Sequence, residues 1–399
     1  MSELIEQLAP EVGDDGEFSA VRRRARKALM RHGFPDLKTE AWKYTSLKVL
    51  QKRSFEATEA GSSAPPELPF EATMMHFDHG LLDLDQLQLP DGVRIEALTA
   101  SDLQDVEYGD RADAFAWLNL ASFEQAWRLV IETDQSVPIV LATTTSETFA
   151  GAVHPRLVID IREGASASLV ELQNDQGKGL VNVVEEIRVD SGSHLDHHLV
   201  RRHAESVWVQ RSRVRVEGGG DYRCHVLDAG GRLTRQDLNI ELLDVDACGE
   251  IDGVARIDSG QHVDYHTCID HVVGQTNSRE TFHMLADGTG VGVFNGRIHI
   301  HRGADDSHSD LNTANLLLSD SARINTKPEL EIYAEEVTAS HGATIGQLDD
   351  SALFYMRSRG IPANEATALL KLGFAIAPLE NIQSEPIREW LIGLLRQIV

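Results

Sequence analysis

The sequence predicts a mainly β chain, read as a β-solenoid with helical regions at its N- and C-terminal ends. Three observations carry that reading. From about residue 137 to 338 apolar and polar residues alternate with period two, as in VWVQRSRVRVE from Val207, GRLTRQDLNIEL from Gly231 and GVFNGRIHIHR from Gly292, the pattern of strands with one covered face. No amphipathic helix of roughly 10–15 residues is interposed, which excludes a doubly wound α/β sheet. The third is an internal repeat: RVDSGSHLDHH at 188–198 returns as RIDSGQHVDYH at 256–266, 68 residues later, with seven of eleven positions identical. Repeats that cannot bury their apolar side alone stack on their neighbours. A sandwich or a barrel also accommodates short strands, and both stay open on these grounds.

The elements follow in order. Val21, Ala25, Ala28 and Leu29 recur at helical spacing over 18–30, and Gly33 and Pro35 close that helix. Its arginines, between Arg22 and Arg31, read as the helix's polar flank. The aromatic run Trp42, Lys43, Tyr44, Thr45, Ser46, Leu47 is expected to pack against the next unit, and residues 56–69, rich in Ala, Ser and Pro, read as a linker. A second helix is expected over 114–129, from the spacing of Phe115, Leu118, Phe123, Ala126 and Trp127. Within the strand region Gly164, Gly192, Gly230, Gly260 and Gly288 lie 28, 38, 30 and 28 residues apart, a loose coil length. After Thr338 helix returns. Residues 346–359 put Leu348, Leu353 and Met356 on one face, with Asp349 and Asp350 at the positive end and a stop at Gly360. Pro362 opens a helix over 363–376, and Ser384 caps a last one with Ile387, Trp390, Leu391, Leu394, Leu395 and Ile398 in one stripe. The expected division is 1–70, an N-terminal helical region and linker; 71–338, the β core preceded by a short helical segment; and 339–399, a C-terminal helical domain. Those last helices carry more apolar surface than they can hide among themselves, so the stripe faces a partner or the solenoid end, and Trp390, Leu391, Leu394 and Leu395 are expected to anchor a partner.

Composition narrows the function. At 399 residues the chain exceeds the roughly 250–300 at which a single core stops growing. Its 37 Lys and Arg against 63 Asp and Glu give a net charge of −26, which repels phosphate backbones and argues against a nucleic-acid partner. No apolar run approaches the roughly 18 residues of a membrane span, and the acidic first residues are unlike a signal peptide. Cys224, Cys248 and Cys268 form neither a CxxC pair nor a zinc set, and a cytoplasmic location is expected. There is no nucleotide-binding or nucleophile-elbow motif, so the chain is expected not to be an enzyme.

Histidine is the richest chemical signal, with 17 copies. His194, Asp196 and His198 share one strand face, as do His262, Asp264 and His266, and His299 with His301. Imidazole and carboxylate at this spacing can bind a transition metal, but one strand seldom closes a site, and the competing reading is satisfied rung and turn positions. His341, between Ser340 and Gly342, stands where strand periodicity gives way to helix. There it either fills a corner or serves as metal ligand or proton relay.

Trp42 to Thr45, then Lys327, Pro328, Glu329, Leu330, Glu331, Ile332, then Ser340, His341, Gly342, Ala343, Thr344, Gln347, Leu348, Asp349, and Leu353 through Ile361 resemble the SufB/SufD family, which builds iron-sulfur clusters. The chain is more similar to the SufD members, because Met356 follows Phe354 and Tyr355 where a SufB member is expected to carry a reactive cysteine. The resemblance implies a right-handed parallel β-helix. It implies a non-catalytic scaffold subunit in complex with a SufB-like subunit and a SufC-like ABC ATPase, the ATPase docking on the terminal helices. It further implies a transient iron-sulfur cluster or iron at the SufB-like interface with His341 at the site, reduced flavin bound by the whole complex, and no cofactor held tightly by the isolated chain. A cysteine often found just before the Ser-His-Gly-Ala-Thr run is Ala339 here, so a scheme needing a thiol there fails. The alternatives are a histidine- and carboxylate-based metal-dependent β-helix enzyme, a β-helix enzyme acting on an acidic polysaccharide, and a purely structural solenoid subunit.

Overall fold

The computed structural model describes residues 2–399 apart from 12, 14–15, 56–62, 85–86 and 204, so the first part of the expected linker lies outside the described residues. From Ser166 onward the chain lays down strands of eight to ten residues that alternate between two parallel sheets. The first sheet holds Ser166–Asp175, His194–His203, Asp221–Asp228, Cys248–Ile257, Asn277–Ala286, His308–Leu317 and Thr338–Gly346; the second holds Leu180–Val189, Val207–Val216, Leu233–Leu242, His262–His271, Val291–Ile300 and Arg323–Ile332. First-sheet strands start 27 to 31 residues apart, which is one coil. The molecule is a β-solenoid flanked by helical regions. Period two produces it directly: every second side chain, such as Leu195, Leu199, Tyr222, Val226, Phe282, Met284, Phe294 and Ile298, enters one continuous core between the sheets.

Turns at one edge put Gly164, Gly192, Gly219, Asp246, Gln275 and Asp306 at positive φ, each about one coil from the next; Gly230, Gly260 and Gly288 do the same at the other edge. The spacing of 38 between Gly192 and Gly230 is therefore a passage from one edge to the other. The 68-residue repeat likewise spans about two and a half coils. His194 opens a strand of the first sheet and His262 a strand of the second, so the two copies mark the same kind of turn on opposite sheets.

Two expectations are corrected. The second helix covers only Ala114–Ser122; Ala126–Ile131 is a strand, parallel to Arg156–Ile161 and antiparallel to Val93–Ala97. Ladder bonds on both sides outweigh the helical spacing of Ala126 and Trp127. Strand also continues past Thr338 to Gly346, and helix starts at Asp350, where the Asp349 side chain accepts from the Ser351 N–H at 2.8 Å. The expected division at 338/339 thus falls inside the last strand.

At the N-terminus, helix Ser19–His32 buries Val21, Ala25 and Leu29 against Ala114–Ser122, and Trp42 stacks on Phe115 with ring centroids 5.4 Å apart. The expected packing of the aromatic run is met. At the C-terminus, helices Ala363–Ile376 and Glu385–Ile398 cover the outer face of the first sheet, where Val140, Val170, Val200, Leu227 and Leu285 meet Ile387, Leu391, Leu394 and Leu395. Of the residues expected to anchor a partner, Leu391, Leu394 and Leu395 are buried in their own chain, and Trp390 packs edge-on against Phe70 at 5.5 Å. Among the described residues no helix is long and apolar enough to cross a membrane.

Candidate functional site

The two ends of the solenoid differ. At the start, the first sheet closes with the two-residue antiparallel strand Leu81–Leu82 and the second with antiparallel Val93–Ala97. At the far end, Thr338–Gly346 and Arg323–Ile332 are the outermost strands, each paired on one side only among the described residues. His341 stands on the first of these and is exposed. Its register partner is Leu311, a buried core residue; partners in a parallel ladder share a face, so the imidazole sits over the end of the solenoid core rather than on its flank. The same column continues down the first sheet through Glu280, Ile251, Cys224 and His197. Around this mouth Ile332 and Ile345 are exposed, and on the following helix, Asp350–Ser358, Phe354 and Tyr355 are 74% and 58% exposed.

His262 and Asp264 engage the N-terminal segment, and His266 reaches it only through Asp264. Asp264 accepts from the Thr45 hydroxyl and from Arg235 Nη1 at 2.6 Å, His262 Nε2 lies 2.9 Å from Thr45 Oγ1, and His266 Nε2 lies 3.2 Å from Asp264 Oδ1. Arg235 in turn stacks over Trp42 at 4.5 Å. Burial alone would raise the Asp264 pKa, but the Arg235 guanidinium and the two imidazoles hold it well below the usual carboxylate range. In the other copy His194 bridges Asp196 and Asp221 at 3.3 and 3.1 Å, bonds that lift its pKa to about 9, while His198 stacks on His225 in the buried layer.

Two features were not legible in the sequence. One is a buried polar network inside the solenoid. The Arg201 guanidinium donates to Gln173, Gln210, Gln236 and Tyr265, and His197 meets Glu171 at 2.7 Å and Tyr222 at 2.9 Å. The other is the trio Asp270, His299 and His301 on the outer face of the second sheet, with Asp270 Oδ1 2.8 Å from His299 Nδ1 and 3.4 Å from His301 Nε2. The histidine pair is visible in the sequence; Asp270 lies one coil earlier and is reached only through the ladder that pairs it with His299. Beside the trio, Cys268 and Arg297 line an open cavity of about 500 Å³ together with His266, Asp237, Lys327 and Glu331.

Residues 142–374 match the family model described as "SUF system FeS cluster assembly, SufBD core domain", which is more than half of the chain. The chain belongs to the SufBD family. It is 26% identical over 382 residues to the iron-sulfur cluster assembly protein SufD of Escherichia coli, covering 92% of this chain and 90% of that one. It is 25% identical over 417 residues to the chloroplastic protein ABCI7 of Arabidopsis thaliana, covering 97% and 87%. An iron-sulfur cluster assembly SufBD family protein of Synechocystis is 28% identical over 307 residues, covering 73% and 66%. The SufBD match ends within helix Ala363–Ile376 and includes the whole open end with His341. A general scaffold role in iron-sulfur cluster assembly follows from membership.

Proposed function

We propose that this SufBD protein acts as a SufD-type, cytoplasmic, non-catalytic subunit that joins a SufB-like subunit through its open solenoid end and receives a SufC-like ABC ATPase on its terminal helices. The observation that carries the reading is the exposed His341 over the end of the core, on a strand whose outer edge has no pairing partner among the described residues. Such an edge is a template for a strand of another chain. Pairing there would bury the imidazole between two solenoids, where a nascent cluster or incoming iron could take it as one ligand, or a proton could pass through it. Phe354 and Tyr355, exposed on the first terminal helix, supply the aromatic anchors that an ATPase contact favours and that the buried Leu391 and Leu395 do not. Reduced flavin is assigned to the whole complex.

Co-expression with both partners tests this. His341→Ala should leave the complex intact by gel filtration and its ATPase active, yet sharply lower iron and acid-labile sulfide per complex. Normal cluster content in a fully assembled His341→Ala complex would reject the role of His341.

A further inference from the structure

We infer that Asp270, His299 and His301 form a binding site for a divalent transition metal on the outer face of the second sheet, distinct from the open end. All three donor atoms lie within 4.8 Å of one another. Bonds of ~2.0–2.2 Å to one ion place neighbouring donors about 3–3.5 Å apart, so the observed 2.8 and 3.4 Å need only small side-chain adjustments.

The ladder sets the geometry. Asp270 and His299 are register partners on adjacent strands, and His301 follows two positions later on the same side. The imidazole rings are held with centroids 4.0 Å apart and 36° between planes, and Tyr333 walls one side of His299 at 5.7 Å. Both imidazoles aim at one carboxylate oxygen, Oδ1. The other, Oδ2, accepts the Cys268 thiol at 3.4 Å, and that sulfur accepts from Arg297 Nε at 3.3 Å. Donating to Oδ2, the thiol orients the carboxylate, as outer-shell partners of metal ligands do.

Two imidazoles and one carboxylate suit Zn²⁺, Fe²⁺ or Co²⁺ rather than Mg²⁺ or Ca²⁺. Three protein ligands leave coordination positions open, and the side chains of Asp270, His299 and His301 are 16%, 21% and 39% exposed, so the ion could exchange with solvent. The site requires no partner chain and therefore stands apart from the assembly reading.

Isothermal titration of the full chain with Zn²⁺, and absorbance titration with Co²⁺, should show one equivalent bound in the presence of millimolar Mg²⁺. His299→Ala/His301→Ala should weaken that equivalent by about 100-fold or more, Asp270→Asn should weaken it by about 10-fold or more, and His308→Ala should leave it unchanged. Circular dichroism checks that each variant folds, and the near-isosteric Asp270→Asn keeps the test decisive if the double variant does not. Unchanged stoichiometry and affinity in folded Asp270→Asn, or wild-type binding no tighter than about 1 mM, would overturn the site and leave the trio as hydrogen-bonded neighbours.

Discussion

At the scale of single residues, burial decides which groups can react. The thiols of Cys224, Cys248 and Cys268 are each pushed up to about 12, first by desolvation. A thiol rather than a thiolate is a poor nucleophile. At pH 7.5 all three should be alkylated by iodoacetamide far more slowly than a free cysteine, with Cys224 labelled only after unfolding; mass spectrometry of the native protein reads this, and rapid labelling of any of the three would contradict it. Glu280 is the acid counterpart. Its inward-facing carboxyl lies between Ile251 and Leu311 on the flanking strands, and burial lifts it from 4.5 to about 8, with the Thr267 hydroxyl opposing. Between those two values the folded chain holds the proton that the unfolded chain has lost, so stability from this group is full below about pH 4.5, falls as pH rises, and levels off above about 8. Glu280→Gln should therefore flatten the fall in urea midpoint between pH 5 and 8.5 and stabilise the protein at the alkaline end, by on the order of a few kcal/mol. An identical pH slope in mutant and wild type would refute it.

At the scale of elements, the alternation that marks a strand states which side chains are covered and not what covers them. The strands containing Val207, Leu233 and Val291 were legible for that reason, and so was the coil. The helix at 114–129 was cut short because Ala126 to Ile131 joins a ladder whose other strands lie elsewhere in the chain. The stripe of Leu391, Leu394 and Leu395 was correctly seen as needing cover; the cover is the solenoid's own outer face, a long-range contact that no local period reports. His262, Asp264 and His266 likewise stood out without showing that Thr45 and Arg235, 217 and 29 positions away from their respective partners, would claim them. Arg235 is the centre of that joint. It is buried between Trp42, Asp237 and Asp264 and also donates to the Ala41 carbonyl at 2.9 Å. Arg235→Met would leave Asp264 buried without its cation, a loss of about 3–5 kcal/mol, and should release residues 33–55 to protease before the solenoid unfolds. Wild-type resistance to limited proteolysis would show that the joint is held by packing alone.

At the scale of the whole molecule, the solenoid has a direction. Short antiparallel strands and the N-terminal helices blunt its beginning, and its end leaves two strands half-paired. Those two strands are not equivalent. Arg323–Ile332 contains Lys327 and Pro328, residues that protect an edge against further pairing. Thr338–Gly346 contains neither, so the first sheet carries the competent template. Along a parallel strand successive residues turn their N–H groups to alternate sides. Thr338 N–H bonds inward to the Ser307 carbonyl at 3.0 Å, so the N–H groups of Ala339, His341, Ala343 and Ile345 face the free edge. Ala343→Pro removes one outward donor and no bond to the other described residues. The variant should keep its circular dichroism and thermal midpoint, yet bind a SufB-like partner at least about 10-fold more weakly, the worth of one interfacial hydrogen bond together with the ring's obstruction of the added strand. Binding at wild-type affinity would mean that the two solenoids meet through side chains alone, with His341 facing its partner across an unpaired edge.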